Sequence, residues 1–328
     1  MSVFTATGFH PLTLDSYVKC VRDLQPDAVV ALADWTGQVS AQNKRKIRAV
    51  ERTEEWLVKF LQLLSEGAKG PDTPVVFAPV LPAEYPLQWE YVDMLTELAQ
   101  EQKISGLAVF EPVIMEELAK HDALTSLPRM SLEAPMTPQE ILAQIKLGID
   151  VFATPLFNQI SDSGIALSFE FASSSPSPSP SPLLSMGIDM WSPIHKTSLE
   201  PLVPGCSCYA CTRHHCAFLH HLLQAKEMLG WTLLQIHNHH IAERFFGDIR
   251  RVLRDGGVDA FDTATRTFAQ RYQDNLPAGT GTRPRVRGYH FKSAVDQKKI
   301  NPGQWGRYSD TKSNAAPEQS PEVTAMDN

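Results

Sequence analysis

"PGCSCYACTRHH", Pro204–His215, places three of the chain's five cysteines within six residues, and a fourth, Cys216, lies one position beyond. Thiolates spaced Cys-x-Cys-x-x-Cys can converge on one ion because so short a loop cannot carry them apart, but three ligands leave a closed four-coordinate site one short. The missing ligand is sought in "LLQIHNHHIAERFF", a helix candidate with His237, His239 and His240. Leu234, His237, Ile241 and Phe245 recur at i, i+3, i+7 and i+11, so His237 shares the apolar stripe that faces the core, and His239 points well away from it. Cys206, Cys208, Cys211 and His237 are therefore expected to form one metal site. A sulfur-rich, four-coordinate set suits zinc, and with every position filled by protein the ion is expected to be structural.

The segment between these ligands, "TRHHCAFLHHLLQAKEMLG", is expected to be an amphipathic helix that stops at Gly230, with Cys216 packed as a small apolar residue. An odd cysteine total and the absence of a basic start leading into an apolar stretch suggest a reduced, intracellular setting. No segment approaches the roughly 20 apolar residues of a membrane span. The chain has 328 residues, 43% of them apolar, enough for a large core, and a net charge of −7 that argues against a generally basic nucleic-acid binder.

Upstream, "DAVVALAD", "PVVFAPVLP", "SGLAVFEP", "PRMSL" and "GIDVFATP" read as strands, with helices between them. The clearest helix is Lys44–Leu64, where Ile47, Val50, Thr53, Trp56, Leu57, Phe60 and Leu64 keep helical spacing. Another opens with Thr137 as N-cap, Pro138 at the first helical position and Glu140 at the capping-box position, and stops at Gly148. Repeated strand and helix indicate parallel βα units, in either a doubly wound sheet or a (β/α) barrel. Residues 173–182, "SSSPSPSPSP", form a low-complexity insertion expected to be disordered, and the polar residues 295–328 are read the same way.

"CSCYACTRHHCAFLHHLLQAKEMLGWTLLQIHNHH" closely resembles the zinc region of the tRNA-guanine transglycosylases, and the resemblance runs from about Gly8 to about Lys292. It implies the same four zinc ligands, and a modified (β/α)8 TIM-like barrel, N-terminally incomplete, with a zinc-binding subdomain. Residues 1–172 would be the partial barrel, and residues 183–294 the zinc subdomain and barrel-closing helices. "SGLAVFEP" is similar to the strand beside the base pocket, and "GIDVFATPL" to the strand of the attacking aspartate.

The departures matter more. The position of the attacking carboxylate is Ala153, and Asp150, three residues away along a strand, falls on the opposite face. Phe110 stands where the family has a pocket glycine, and "FAPVLP" where it has a base-recognising Gln-Gly-Gly. Asp34 in "ALADW" matches a base-recognising aspartate and is read here as structural.

The resemblance thus implies a non-catalytic subunit that forms a heterodimer with a catalytic subunit, orients tRNA, and supports exchange of guanine for queuine at the wobble position of GUN anticodons. It implies a cytoplasmic protein, peripheral at the mitochondrial outer membrane. Two other readings are an active transglycosylase with an unconventional nucleophile and a zinc-stabilised interaction module unrelated to tRNA. "TRPRVRGYHFK", with Arg283, Arg285, Arg287 and Lys292, is the expected RNA contact; Arg250, Arg251 and Arg254 are a weaker addition.

Overall fold

A computed structural model describes residues 2–5, 8–35, 42–66, 74–172 and 182–281. The chain opens with a hairpin, β1 (Ser2–Thr5) and β2 (Gly8–Pro11), followed by α1 (Leu14–Leu24) and β3 (Ala28–Val30). Then come α2 (Asn43–Glu66), β4 (Val75–Val80), α3 (Tyr85–Gln100), β5 (Gly106–Val109) and the short helices α4 (Met115–Leu118) and α5 (Asp122–Thr125). The first half closes with β6 (Arg129–Ser131), α6 (Pro138–Lys146) and β7 (Val151–Phe152).

All five strands expected from the β-branched runs are present and pair in parallel in the order β3-β4-β5-β6-β7. Spatial order equal to chain order separates the two architectures that periodicity left open. A doubly wound sheet reverses its strand order at a switch point, whereas an arc that always advances in one direction is the construction of a (β/α) barrel. The described residues form a half-barrel of five strands. Its core joins the strands to one face of α2 and α3: Leu57, Phe60, Leu95, Leu107 and Val109 are fully buried, each contributing roughly 1.5–3 kcal/mol through the apolar surface it removes from water.

Thr137 caps α6 as expected, its side chain accepting from the Glu140 amide at 3.1 Å. Glu140 reaches back one residue further than a capping box requires, accepting from the Met136 amide.

The second half comprises α7 (Leu156–Asp162), β8 (Ile165–Leu167), β9 (Gly187–Asp189), α8 (Tyr209–Arg213), α9 (Cys216–Gln224) and α10 (Met228–Arg271). Here one expectation needs correcting. The helix after the cysteines ends at Gln224, not at Gly230, because Lys226 takes the left-handed conformation (φ 57°) and turns the chain. Gly230 lies inside α10, where a Cβ would sit 3.1 Å from that of Leu222; its hydrogen lets α10 press against α9.

α10 is two helices joined at Gly257 (φ 66°, ψ −161°). Phe245 and Phe268 are 23 residues apart, roughly 35 Å along a straight helix, yet their ring centroids are 6.2 Å apart. Only a chain reversal permits that, and Gly257 supplies a backbone conformation open essentially to glycine alone. The returning arm brings Phe268 edge-to-face onto Phe169 (5.8 Å, 88°) and Phe261 onto Phe171 in a tilted contact (5.9 Å, 43°). Phe152 at the end of β7 packs against both halves of the core. Residues 173–181 of the Pro/Ser run and the expected tail 295–328 lie outside the described residues.

Candidate metal centre

Gly205, with φ 78°, turns the chain into the cysteine loop. Cys208 is the N-cap of α8, its Sγ accepting from the Cys211 amide at 3.3 Å, so one sulfur both caps the helix and faces the cage. From α10, His237 directs Nδ1 at the three sulfurs, 3.7 Å from Cys206, 3.4 Å from Cys208 and 3.4 Å from Cys211. One ligand atom from each of these four buried residues lies within 4.8 Å of all the others, so the group could hold a metal ion. The structure thus brings together all four residues that the sequence singled out. Cys216 stands apart, its thiol directed at the Pro201 carbonyl.

The tautomer of His237 follows from its other nitrogen. Nε2 lies 2.8 Å from the Leu167 carbonyl, an acceptor only, so Nε2 carries the proton and Nδ1 keeps a lone pair for an ion. Burial lowers the His237 pKa to about 4 and raises that of Cys211 to about 12, with Cys208 also raised. The imidazole is therefore neutral, as a ligand must be. Buried thiols stay protonated without a cation and become thiolates when one binds.

Sequence reasoning missed Asn238. Fully buried, it accepts from the Leu167 amide at 2.8 Å and donates to Ser161 Oγ at 3.0 Å and to the Ile165 carbonyl at 2.8 Å. His237 and Asn238 together saturate the backbone of Leu167 and fasten the ligand helix to β8. The available signal was the pair itself, since a polar residue beside an inward histidine also needs partners.

The other residues singled out by the sequence lie at the ends of the parallel strands. Ala153 follows β7 and is exposed. Asp150 lies at the other end of that strand, where its Oδ2 accepts from both the backbone amide and Nε of Arg129 at 3.0 Å. Asp34, just past β3, is ion-paired with Arg52, and its amide donates to Thr53 Oγ1 at 3.0 Å. Trp35 and Phe110 meet at 6.2 Å between ring centroids. The carboxylate is already engaged by a guanidinium.

Of the expected RNA contacts, Arg283, Arg285, Arg287 and Lys292 lie outside the described residues. Arg251 and Arg254 are paired with Asp248 and Asp255. No helix among the described residues is long and apolar enough to cross a membrane.

Comparison with known proteins places these features in context. Residues 1–274 match the family model described as queuine tRNA-ribosyltransferase. The chain is similar to the queuine tRNA-ribosyltransferase accessory subunit 2 of Schizosaccharomyces pombe, 35% identical over 309 residues that make up 93% of this chain and 67% of that protein. It is also similar to the accessory subunits 2 of Xenopus tropicalis (28%; 79% of this chain, 70% of the relative) and Culex quinquefasciatus (30%; 76% and 60%). The chain thus spans about two thirds of the length of these relatives.

Proposed function

The chain belongs to the queuine tRNA-ribosyltransferase family, and on that premise we propose that it is a non-catalytic subunit that pairs with a catalytic subunit and orients tRNA for exchange of guanine by queuine at the wobble position. The observation that carries this reading is Ala153. Where the family resemblance puts an attacking carboxylate there is a methyl group, while the metal cage of the same fold is complete. The engaged Asp34 and the Trp35–Phe110 pair support it further, since they leave no free base-recognising acid at that position. The five-strand arc is read as part of a (β/α)8 barrel, on the strength of its sequential strand order.

Zinc is the proposed ion. Tetrahedral bonds of about 2.3 Å to sulfur and about 2.0 Å to nitrogen give S···N edges of about 3.5 Å, against the 3.4–3.7 Å found here. Cys206, Cys208, Cys211 and His237 would hold it, and the ion would pin the cysteine loop to α10. On the segment packed against α9, Ile194 and Leu199 are each 76% exposed, and Tyr209, next to the cage residue Cys208, is exposed as well. Exposed apolar side chains beside a rigid loop are what a protein partner covers, so the zinc subdomain is proposed as the face that meets the catalytic subunit. Arg283, Arg285, Arg287 and Lys292 are proposed to pair with tRNA phosphates. A cytoplasmic location, peripheral at the mitochondrial outer membrane, completes the reading.

The test is co-purification with the catalytic subunit, followed by guanine-exchange assays on each chain alone and on the mixture. Exchange that requires both chains supports the proposal; exchange by this chain alone defeats it.

A further inference from the structure

Among the described residues, the start of α2 is strongly uneven in charge. Residues 44–52, "KRKIRAVER", carry five cations (Lys44, Arg45, Lys46, Arg48, Arg52) and one acid, Glu51, in a chain whose net charge is −7. At about 100° per residue, Lys44, Arg48 and Arg52 advance by only about 40° from one to the next, so they form a stripe on one side of the helix, with successive members rising about 6 Å. Lys44, Arg45 and Arg48 are exposed, and no ion pair involves Lys44 or Arg48 among the described residues. The comparable run on α10 is different, because Arg251 and Arg254 face their own acids.

The position of the stripe adds to its charge. α2 follows β3 in a parallel sheet, so its first turns stand at the carboxyl edge of the strands, the edge that also carries Asp34, Phe110 and Ala153 and where folds of this type place their ligands. The N-terminal end of a 24-residue helix dipole stands there as well and adds positive potential. Lys46 approaches Glu84 at 4.0 Å and ties this turn to the start of α3, which bears the half-exposed Trp89. Unpaired cations on a helix start, with an exposed aromatic on the adjoining helix, match a phosphate backbone with accessible bases.

We infer that the first two turns of α2, through Lys44 and Arg48, bind the sugar-phosphate backbone of RNA at the carboxyl edge of the half-barrel. The inference rests on the tRNA-orienting role proposed above and names the surface that performs it, separate from the segment with Arg283, Arg285 and Arg287.

The experiment compares the full chain with its K44E/R48E variant, each alone and mixed with the catalytic subunit, by titrating tRNA at several salt concentrations. Glutamate is favourable in the first helical turn, where Lys44 lies, and at position 48 it stands four residues before Arg52, a favourable spacing for an ion pair, so the variant should keep its unfolding midpoint and any change in binding reports the surface. The expected result is weaker tRNA binding, with the slope of log K against log salt reduced by about 1.4 to 1.8, from two lost phosphate contacts. The K44R/R48K variant should bind as the parent does. Unchanged affinity and slope would overturn the inference, as would absence of tRNA binding by the parent in both forms. Loss of co-purification with RNA binding intact would assign the surface to a protein partner and also overturn it. If the parent binds tRNA with this salt dependence but fails to support exchange, the accessory reading falls while the binding surface stands.

Discussion

Nε2 of His237 lies 2.8 Å from the carbonyl oxygen of Leu167, so the residue that offers Nδ1 to an ion is oriented by the backbone of β8. Because this imidazole joins α10 to the sulfur loop on one side and to β8 on the other, the cage and the seat of the helix on the strand depend on each other.

Cys208→Ser removes a thiolate and weakens the cap of α8. The variant is expected to lose one equivalent of zinc and to destabilise the second half by several kcal/mol, since structural zinc binding is coupled to folding. Metal analysis of the purified variant, paired with urea unfolding, checks this. Full zinc content would remove Cys208 from the cage.

Asn238→Ala separates positioning from ligation. The substitution strands the Leu167 amide and the Ile165 carbonyl and takes a donor from Ser161 Oγ, which keeps its bond to the Phe157 carbonyl, at a cost of about 1–3 kcal/mol for each group left unsatisfied and not reached by water. A lower urea midpoint with zinc still bound at one equivalent is expected. If the midpoint is unchanged, Asn238 does not hold α10 on β8.

Two glycines are expected to resist substitution for different reasons. At Gly257 a Cβ meets nothing within 4 Å, yet φ is 66°, so Gly257→Ala is costly through backbone strain alone, about 1–3 kcal/mol. At Gly230 the backbone is ordinary helix but α9 is close, so Gly230→Val is expected to cost a similar amount by overpacking, and Gly230→Ala less. Thermal unfolding of the three variants gives the order; a Gly230→Val variant as stable as the parent would place α9 farther away than described.

Which parts of this were legible in the sequence has a physical pattern. Runs such as "PVVFAPV" declare themselves as strands because burial on both faces demands continuous apolar residues, but nothing in a run names its neighbour, so the strand order had to come from the structure. The four metal ligands were legible because three lie in one short loop and the fourth sits on an apolar stripe. Asn238 was not, since its partners, two backbone groups of β8 and the Ser161 hydroxyl, lie 71 to 77 residues away. The stop at Lys226 was hidden as well: a lysine in the left-handed region has no sequence signature, and the nearby Gly230 offered a more obvious one.

Restoring a carboxylate should not restore chemistry. In Ala153→Asp a carboxylate returns, but at the same carboxyl edge Asp34 stays held by Arg52 and Trp35 stays packed against Phe110, so base exchange by the isolated variant is expected to stay at background. Turnover in that variant would mean that the base site is intact and that Ala153 alone silences it.

The most direct test of the central claim is a trapping experiment with the unmodified chain. Incubated with tRNA and labelled guanine in the absence of the catalytic subunit, it should give neither label incorporation nor a denaturation-resistant protein–RNA adduct, whereas the mixture of both chains should give both, with the adduct on the catalytic subunit. An adduct on this chain by itself would contradict the account.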